Sequence, residues 1–144
     1  MSKTLSIIVG SVLGASEYVA EALEQVAIQA GYQTQVHFSP EFNHIDKSGR
    51  WLICTSTHGA GELPENIQPF ANEIAKNDLS GINAYIVGLG DSSYDTFCFG
   101  AKNMEKRLKD AGATIIAEPL HIDVLNHPIP EDVAVSWFEE QLNS

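Results

Sequence analysis

A three-layer α/β sandwich, built on a five-stranded parallel sheet in the order 2-1-3-4-5, is the fold this sequence predicts. Three observations lead there. "TLSIIVG" (4–10), "WLICTS" (51–56) and "NAYIVGLG" (83–90) are apolar nearly without interruption, as strands covered on both faces are. Segments of helical period separate these runs. Strand and helix in alternation require right-handed crossovers, which place helices on both faces of the sheet.

The remaining elements follow in order. "YQTQVHF" (32–38) alternates and carries polar residues, so it reads as an edge strand. A fifth strand is expected from Thr114 to Ile122, broken near Pro119, because proline cannot donate to a ladder. From Ser16, the residues Val19, Leu23, Val26 and Ala30 recur at helical spacing, and Gly31 stops the helix. A shorter helix covers 66–76. Ala101, Met104, Leu108 and Ala111 form the next stripe, ended by Gly112, with Lys106, Arg107 and Lys109 near its negative end. "PEDVAVSWFEEQL" opens with proline and two acids, a favourable first turn.

Length and composition bound the function. The 144 residues suit a single domain, 1–144, with one real core, and 44% hydrophobic against 19% charged residues excludes a disordered or fibrous chain. No apolar stretch approaches a membrane span, and "MSKTLSIIVGS" reads as a first strand rather than a signal peptide, so a cytoplasmic protein is expected. A net charge of −11 opposes nucleic-acid binding and suits a basic partner. Cys54 and Cys98 form no CxxC motif, and buried free thiols are expected, although Cys98 could open a helix that lowers its pKa. His37, His44, His121 and His127 lack metal-ligand spacing. For His121 and Asp123, a hydrogen bond within a loop is expected rather than a ligand pair.

In sheets of this topology a ligand lies outside the carboxyl ends of the strands, where the strand order switches. That rule selects three loops. "GSVLGASE" (10–17) joins a strand to a helix and offers the hydroxyls of Ser11 and Ser16, with Gly14 permitting close approach. It suits an anion at a helix N-terminus, or else an ordinary turn capped by Ser16. It lacks the Gly-Lys-Ser/Thr of a nucleotide loop and the GxGxxG of a dinucleotide fold. "STHGAGELPEN" (56–66) puts Thr57, His58 and flexible Gly59-Ala60-Gly61 directly after a core strand. "GLGDSSYDTFCFG" (88–100) ends a strand at two glycines and sets Tyr94 and Phe97 at its rim. A phosphate cradle beside two aromatic-edged loops suits a ligand with a phosphate tail and a planar ring.

These motifs resemble the short-chain flavodoxins, most nearly those of the MioC type, and also the FMN domain of diflavin reductases such as the sulfite reductase flavoprotein. "SVLGASE" is similar to the family's phosphate loop, "STHGAGELPEN" and "GLGDSSYDTFC" to its ring-binding loops, and "IPEDVAVSW" to its closing helix. The resemblance implies a flavodoxin-like sandwich with FMN as cofactor. It implies that Ser11, Val12, Leu13, Gly14, Ala15 and Ser16 hold the phosphate. Ser56, Thr57, His58, Gly59, Ala60 and Gly61 would line one side of the isoalloxazine, and Leu89, Gly90, Asp91, Tyr94, Phe97 and Cys98 the other. Tyr94 matches the outer stacking aromatic and His58 the inner position, where relatives often carry tyrosine or tryptophan. Leu13 stands where many relatives have a hydroxyl. The peptide joining Gly59 to Ala60 is implied to turn its carbonyl toward the ring on reduction.

The implied function is one-electron carriage between a flavodoxin reductase-type donor and a redox acceptor with a basic surface, by a monomer bound to neither nucleic acid nor membrane. The flavin carries such chemistry, so no catalytic residue and no metal are expected, and an electron-transfer protein is favoured over an enzyme in its own right. Two alternatives stand beside it. One is an NAD(P)H-dependent quinone or flavin reductase on the same fold, and the other an interaction module that has lost FMN.

Overall fold

The computed structural model describes residues 3–12, 14–58 and 61–143. β1 (Lys3–Gly10) is central, with β2 (Tyr32–His37) parallel on one side and β3 (Arg50–Thr55) on the other. β4 (Asn83–Gly90) lies beyond β3, giving the order β2-β1-β3-β4-β5. Ile7 pairs with Val36 on one flank and Leu52 on the other, and Ile53 pairs with Ile86.

The fifth strand is split. β5 (Thr114–Ile115) pairs with Asn83 and Ala84, and β6 (Leu120–Asp123) pairs with Val87 to Gly90. Tyr85 and Ile86 therefore face four residues, 116–119, and the surplus bulges out at the segment containing Pro119.

Four helices cover the sheet: α1 (Ala15–Gln29), α2 (Gln68–Ile74), α3 (Phe99–Asp110) and α4 (Pro130–Leu142). Alternate strand residues divide between two cores. Leu5, Ile7, Val9, Leu52, Cys54, Tyr85 and Val87 meet α1 and α4, while Ile8, Trp51, Ile53, Ala84 and Ile86 meet α2 and α3. Both faces are thus buried, which is why these strands read as unbroken apolar runs. β2 has only one strand neighbour, and its alternating exposure follows from that edge position.

The expectation that Ser16 caps α1 is corrected. Gly14 holds the N-cap position at φ +93°, a left-handed conformation that glycine adopts without a Cβ penalty, and Ser16 lies inside the first turn. No described helix is long and apolar enough to cross a membrane.

Candidate functional site

The carboxyl ends of β1, β3 and β4 open into a cleft of about 420 Å3 with a mainly apolar lining. That is within the range of ligand-binding clefts. Val12 and Ala15 line it from the first loop, and Ser56, Thr57 and His58 from the second. Leu89, Gly90, Asp91, Tyr94, Phe97 and Cys98 line it from the third. Thr96, within the third loop's motif, and Val124, outside any motif, complete the wall. Leu13, Gly59 and Ala60 fall outside the described residues.

Ser11, Gly14 and Ser16 do not line the cleft but build the loop and helix start beside it. Gly14 N–H donates to Ser11 Oγ (2.9 Å), and Gly14 C=O accepts from Glu17 and Tyr18 N–H (3.1 and 3.2 Å). These are the first bonds of α1, so the amides of Ala15 and Ser16 stand at its open end. Ser16 is fully buried, and its Oγ has no hydrogen-bond partner among the described residues. A buried hydroxyl left unpaired costs free energy unless something completes it. Here it sits in the first turn of α1 beside the helix's leading amides, where an anion would supply the acceptor.

The second loop is a closed hairpin. His58 N–H donates to Glu62 O (2.7 Å), and Glu62 and Gly61 N–H donate to His58 O (2.8 and 3.2 Å). Gly61 adopts φ +102°, and a Cβ there would stand 2.9 Å from the Phe99 ring. What approaches this glycine is α3, whose first turn is also tied to the loop by Gly100 N–H donating to Thr57 Oγ1 (3.0 Å).

The third loop is pinned from a strand that no motif marked. Asp123, at the carboxyl end of β6, accepts from Ser92 and Leu125 N–H (3.2 and 3.1 Å) and from the Asn126 amide (3.0 Å). Hydrogen bonding from the Ser92 side chain first, and then from the Ser92 and Leu125 amides, holds its carboxyl below the usual range. Its place at a strand's carboxyl end is the signal that could have found it. The expected pairing of His121 with Asp123 is corrected, because Asp123 is committed to these groups and His121 Nε2 is buried without a partner. Burial, then Lys102, lowers the His121 pKa, and the ring stands edge-on to Phe97 of the cleft wall at 6.5 Å.

Cys98 caps α3 at φ 54°, and burial pushes its thiol up to about 11. The lowering that a helix start could give is overridden by desolvation. Cys54 donates its thiol to Ser16 O (3.5 Å) and is pushed up to about 12 by burial. Among the described residues no cluster of His, Cys, Asp or Glu could hold a metal.

Asn66 has a role that motif reading did not assign. Its Oδ1 accepts from Ser11 N–H (2.9 Å), while Nδ2 donates to Val9 O (2.7 Å) and Phe38 O (2.9 Å). The "LPEN" stretch that carries it was in view, but its partners are 55, 57 and 28 residues away.

Residues 7–137 match the family model described as "Flavodoxin". The chain belongs to the flavodoxin family. Among its relatives, this flavodoxin is 41% identical over 141 residues to protein MioC of Escherichia coli, with 96% of each chain covered. It is 33% identical over 144 residues to the sulfite reductase [NADPH] flavoprotein alpha-component of Aliivibrio fischeri, covering 96% of this chain and 23% of that one. A solved flavodoxin from Pseudomonas aeruginosa superposes with a TM-score of 0.90 at 30% identity, over 97% of both chains. The family implies a flavin. The donor set fits one: the leading amides of α1 and an orphaned serine hydroxyl suit a phosphate, and the apolar cleft with an aromatic rim suits a ring.

Proposed function

We propose that this flavodoxin binds FMN at the carboxyl-end cleft and carries single electrons from a reductase-type donor to an acceptor with a basic surface. The observation that carries the proposal is the buried, unpartnered Ser16 Oγ at the N-terminus of α1, adjoining an apolar cleft edged by Tyr94 and Phe97. Bound there, FMN would supply reversible one-electron chemistry that no side chain of the cleft provides.

The chain's own part is to hold and shield. Ser16 Oγ and the amides of Ala15 and Ser16 would hold the phosphate. Tyr94 and His58 would flank the ring, with Leu89 and Phe97 excluding water from its buried side. Glu62, Glu65, Asp91 and Asp95 stand in the ring-side loops, and none of them forms an ion pair within the described residues. Their negative field would steer a basic partner and orient its approach.

Titration of the flavin-free protein tests the reading. FMN should bind much more tightly than riboflavin, and the holoprotein should accept electrons from a flavodoxin reductase while oxidising NADPH negligibly alone. Failure to bind either flavin would sink the proposal, and rapid NADPH oxidation by the isolated protein would replace it with a reductase.

A further inference from the structure

Between the two flavin-side loops stands one side chain whose hydrogen-bonding capacity is almost wholly spent on backbone. Asn66 lies in a 3-10 turn (Glu65–Ile67) after the ring-side hairpin, yet its bonds go elsewhere. Two go to carbonyls, at the end of β1 (Val9) and just after β2 (Phe38), and one comes from Ser11 N–H, the first amide of the phosphate-side loop. The partners leave no ambiguity in the amide's orientation, since both carbonyls must accept and the N–H must donate.

We infer that Asn66 is a positioning residue that sets the phosphate-side loop, so that the protein discriminates flavin phosphate from unphosphorylated flavin. This rests on the FMN reading above. The physical link is a continuous relay. Asn66 holds Ser11, whose Oγ accepts from Gly14 N–H (2.9 Å). Gly14 C=O in turn accepts the first two amides of α1. Ser11 N–H is thereby withdrawn from any ligand, and the relay orients the groups at the helix start: the amides of Ala15 and Ser16 and the Ser16 hydroxyl.

The ring-side loop does not need the same clamp. It is closed by the His58–Glu62 bridge, tied to α3 through Thr57, and anchored by Leu63 and Ile67, 6% and 0% exposed. Loss of the Asn66 amide should therefore be felt at the phosphate more than at the ring. Only a planar amide offers both donors and the acceptor together. An aspartate would set an anionic oxygen against two carbonyls.

The test has a flavin-free arm and a binding arm. In the apoprotein, Ser11 N–H should exchange slowly with solvent, and Asn66→Ala should release it. The same substitution should weaken FMN by about ten- to a hundred-fold and riboflavin far less. Gln68→Ala removes a neighbouring bond, Gln68 Nε2 to Leu63 O (2.9 Å), and should leave the FMN-to-riboflavin ratio and the Ser11 exchange rate as they are. If alanine prevents folding, Asn66→Ser, whose hydroxyl is too short to span the three groups, carries the same comparison. A preserved ratio, or equal weakening of both flavins, overturns the assignment of Asn66 while leaving the FMN reading intact. A wild-type protein that does not distinguish the two flavins overturns the reading itself, and this inference with it.

Discussion

The two ends of the sheet present two concavities, and the larger one is not the candidate site. At the amino ends of the strands lies a groove of about 990 Å3, more than twice the volume of the carboxyl-end cleft, with a mainly polar lining. Lys3, Arg50, Tyr32 and Tyr85 share it with Ala30, Leu142 and Asn143, where α1 and α4 finish. Neither helix has a basic residue in its last turn, and Lys3 and Arg50 bring positive charge into the groove where both helices finish. Arg50 is also occupied with both phenols, Nη1 donating to Tyr85 Oη (2.9 Å) and Tyr32 Oη (3.3 Å). The carboxyl-end cleft is smaller and apolar, and beside it lie the leading amides of α1 and a hydroxyl without a partner among the described residues. The difference teaches that unmet hydrogen-bonding demand beside an apolar wall marks a site better than volume does. A parallel sheet makes its ends inequivalent, because every crossover helix starts at one and finishes at the other.

The comparison breaks most easily at one polar group from each end. Ser16→Ala should weaken FMN by about 1.5–3 kcal/mol, roughly ten- to a hundred-fold, with riboflavin little affected. Arg50→Gln should leave FMN affinity unchanged. Isothermal titration of both variants checks this, and the contrast collapses if Arg50→Gln costs as much as Ser16→Ala.

Glycine substitutions sharpen it next. Gly61 and Gly81 both have left-handed φ, +102° and +93°, but a Cβ at Gly61 meets Phe99 at 2.9 Å while at Gly81 it meets nothing within 4 Å. Gly81→Ala should cost about 1–2 kcal/mol from backbone strain alone. Gly61→Ala should cost about 1–3 kcal/mol more from the collision. Urea unfolding of the two variants measures the gap, and equal costs would mean that the hairpin is not packed on α3.

The smallest effect is a pH slope. Burial lowers the His121 pKa in the folded protein, so the unfolded chain takes up its proton first as pH falls. The stability contributed by neutral His121 is full above the ordinary histidine value of about 6.5 and is lost as pH drops toward the lowered folded value. His121→Gln should flatten that part of the stability curve. Parallel curves for the two proteins between about pH 7.5 and 5.5, the range below and around free histidine's value, would remove His121 from the account.

How much was legible depends on the range of the interaction. β4 occupies residues 83–90 as its apolar run predicts, and α1, α3 and α4 follow their stripes, because burial on one or two faces imprints a local period. The three loops were visible for the same local reason: glycine, hydroxyl and aromatic residues directly after core strands. The roles of Val124, Asp123 and Asn66 were not, since nothing in their neighbourhood in sequence distinguishes a lining or clamping residue from a solvated one.

The sequence by itself determined the alternation of buried strands and helices, the carboxyl-end location of the loops and the break near Pro119, through burial pattern, chain direction and a missing donor. The strand order was expected from the arrangement that five such strands favour. Only the tertiary structure decided which polar groups were already taken. Ser11 N–H goes to Asn66, 55 positions away, Gly14 N–H goes to Ser11, and Ser16 Oγ is buried with nothing to bond. A hydrogen bond forms or fails within a few tenths of an ångström, and that distance is set by the packing of whole strands and helices, which no local pattern records.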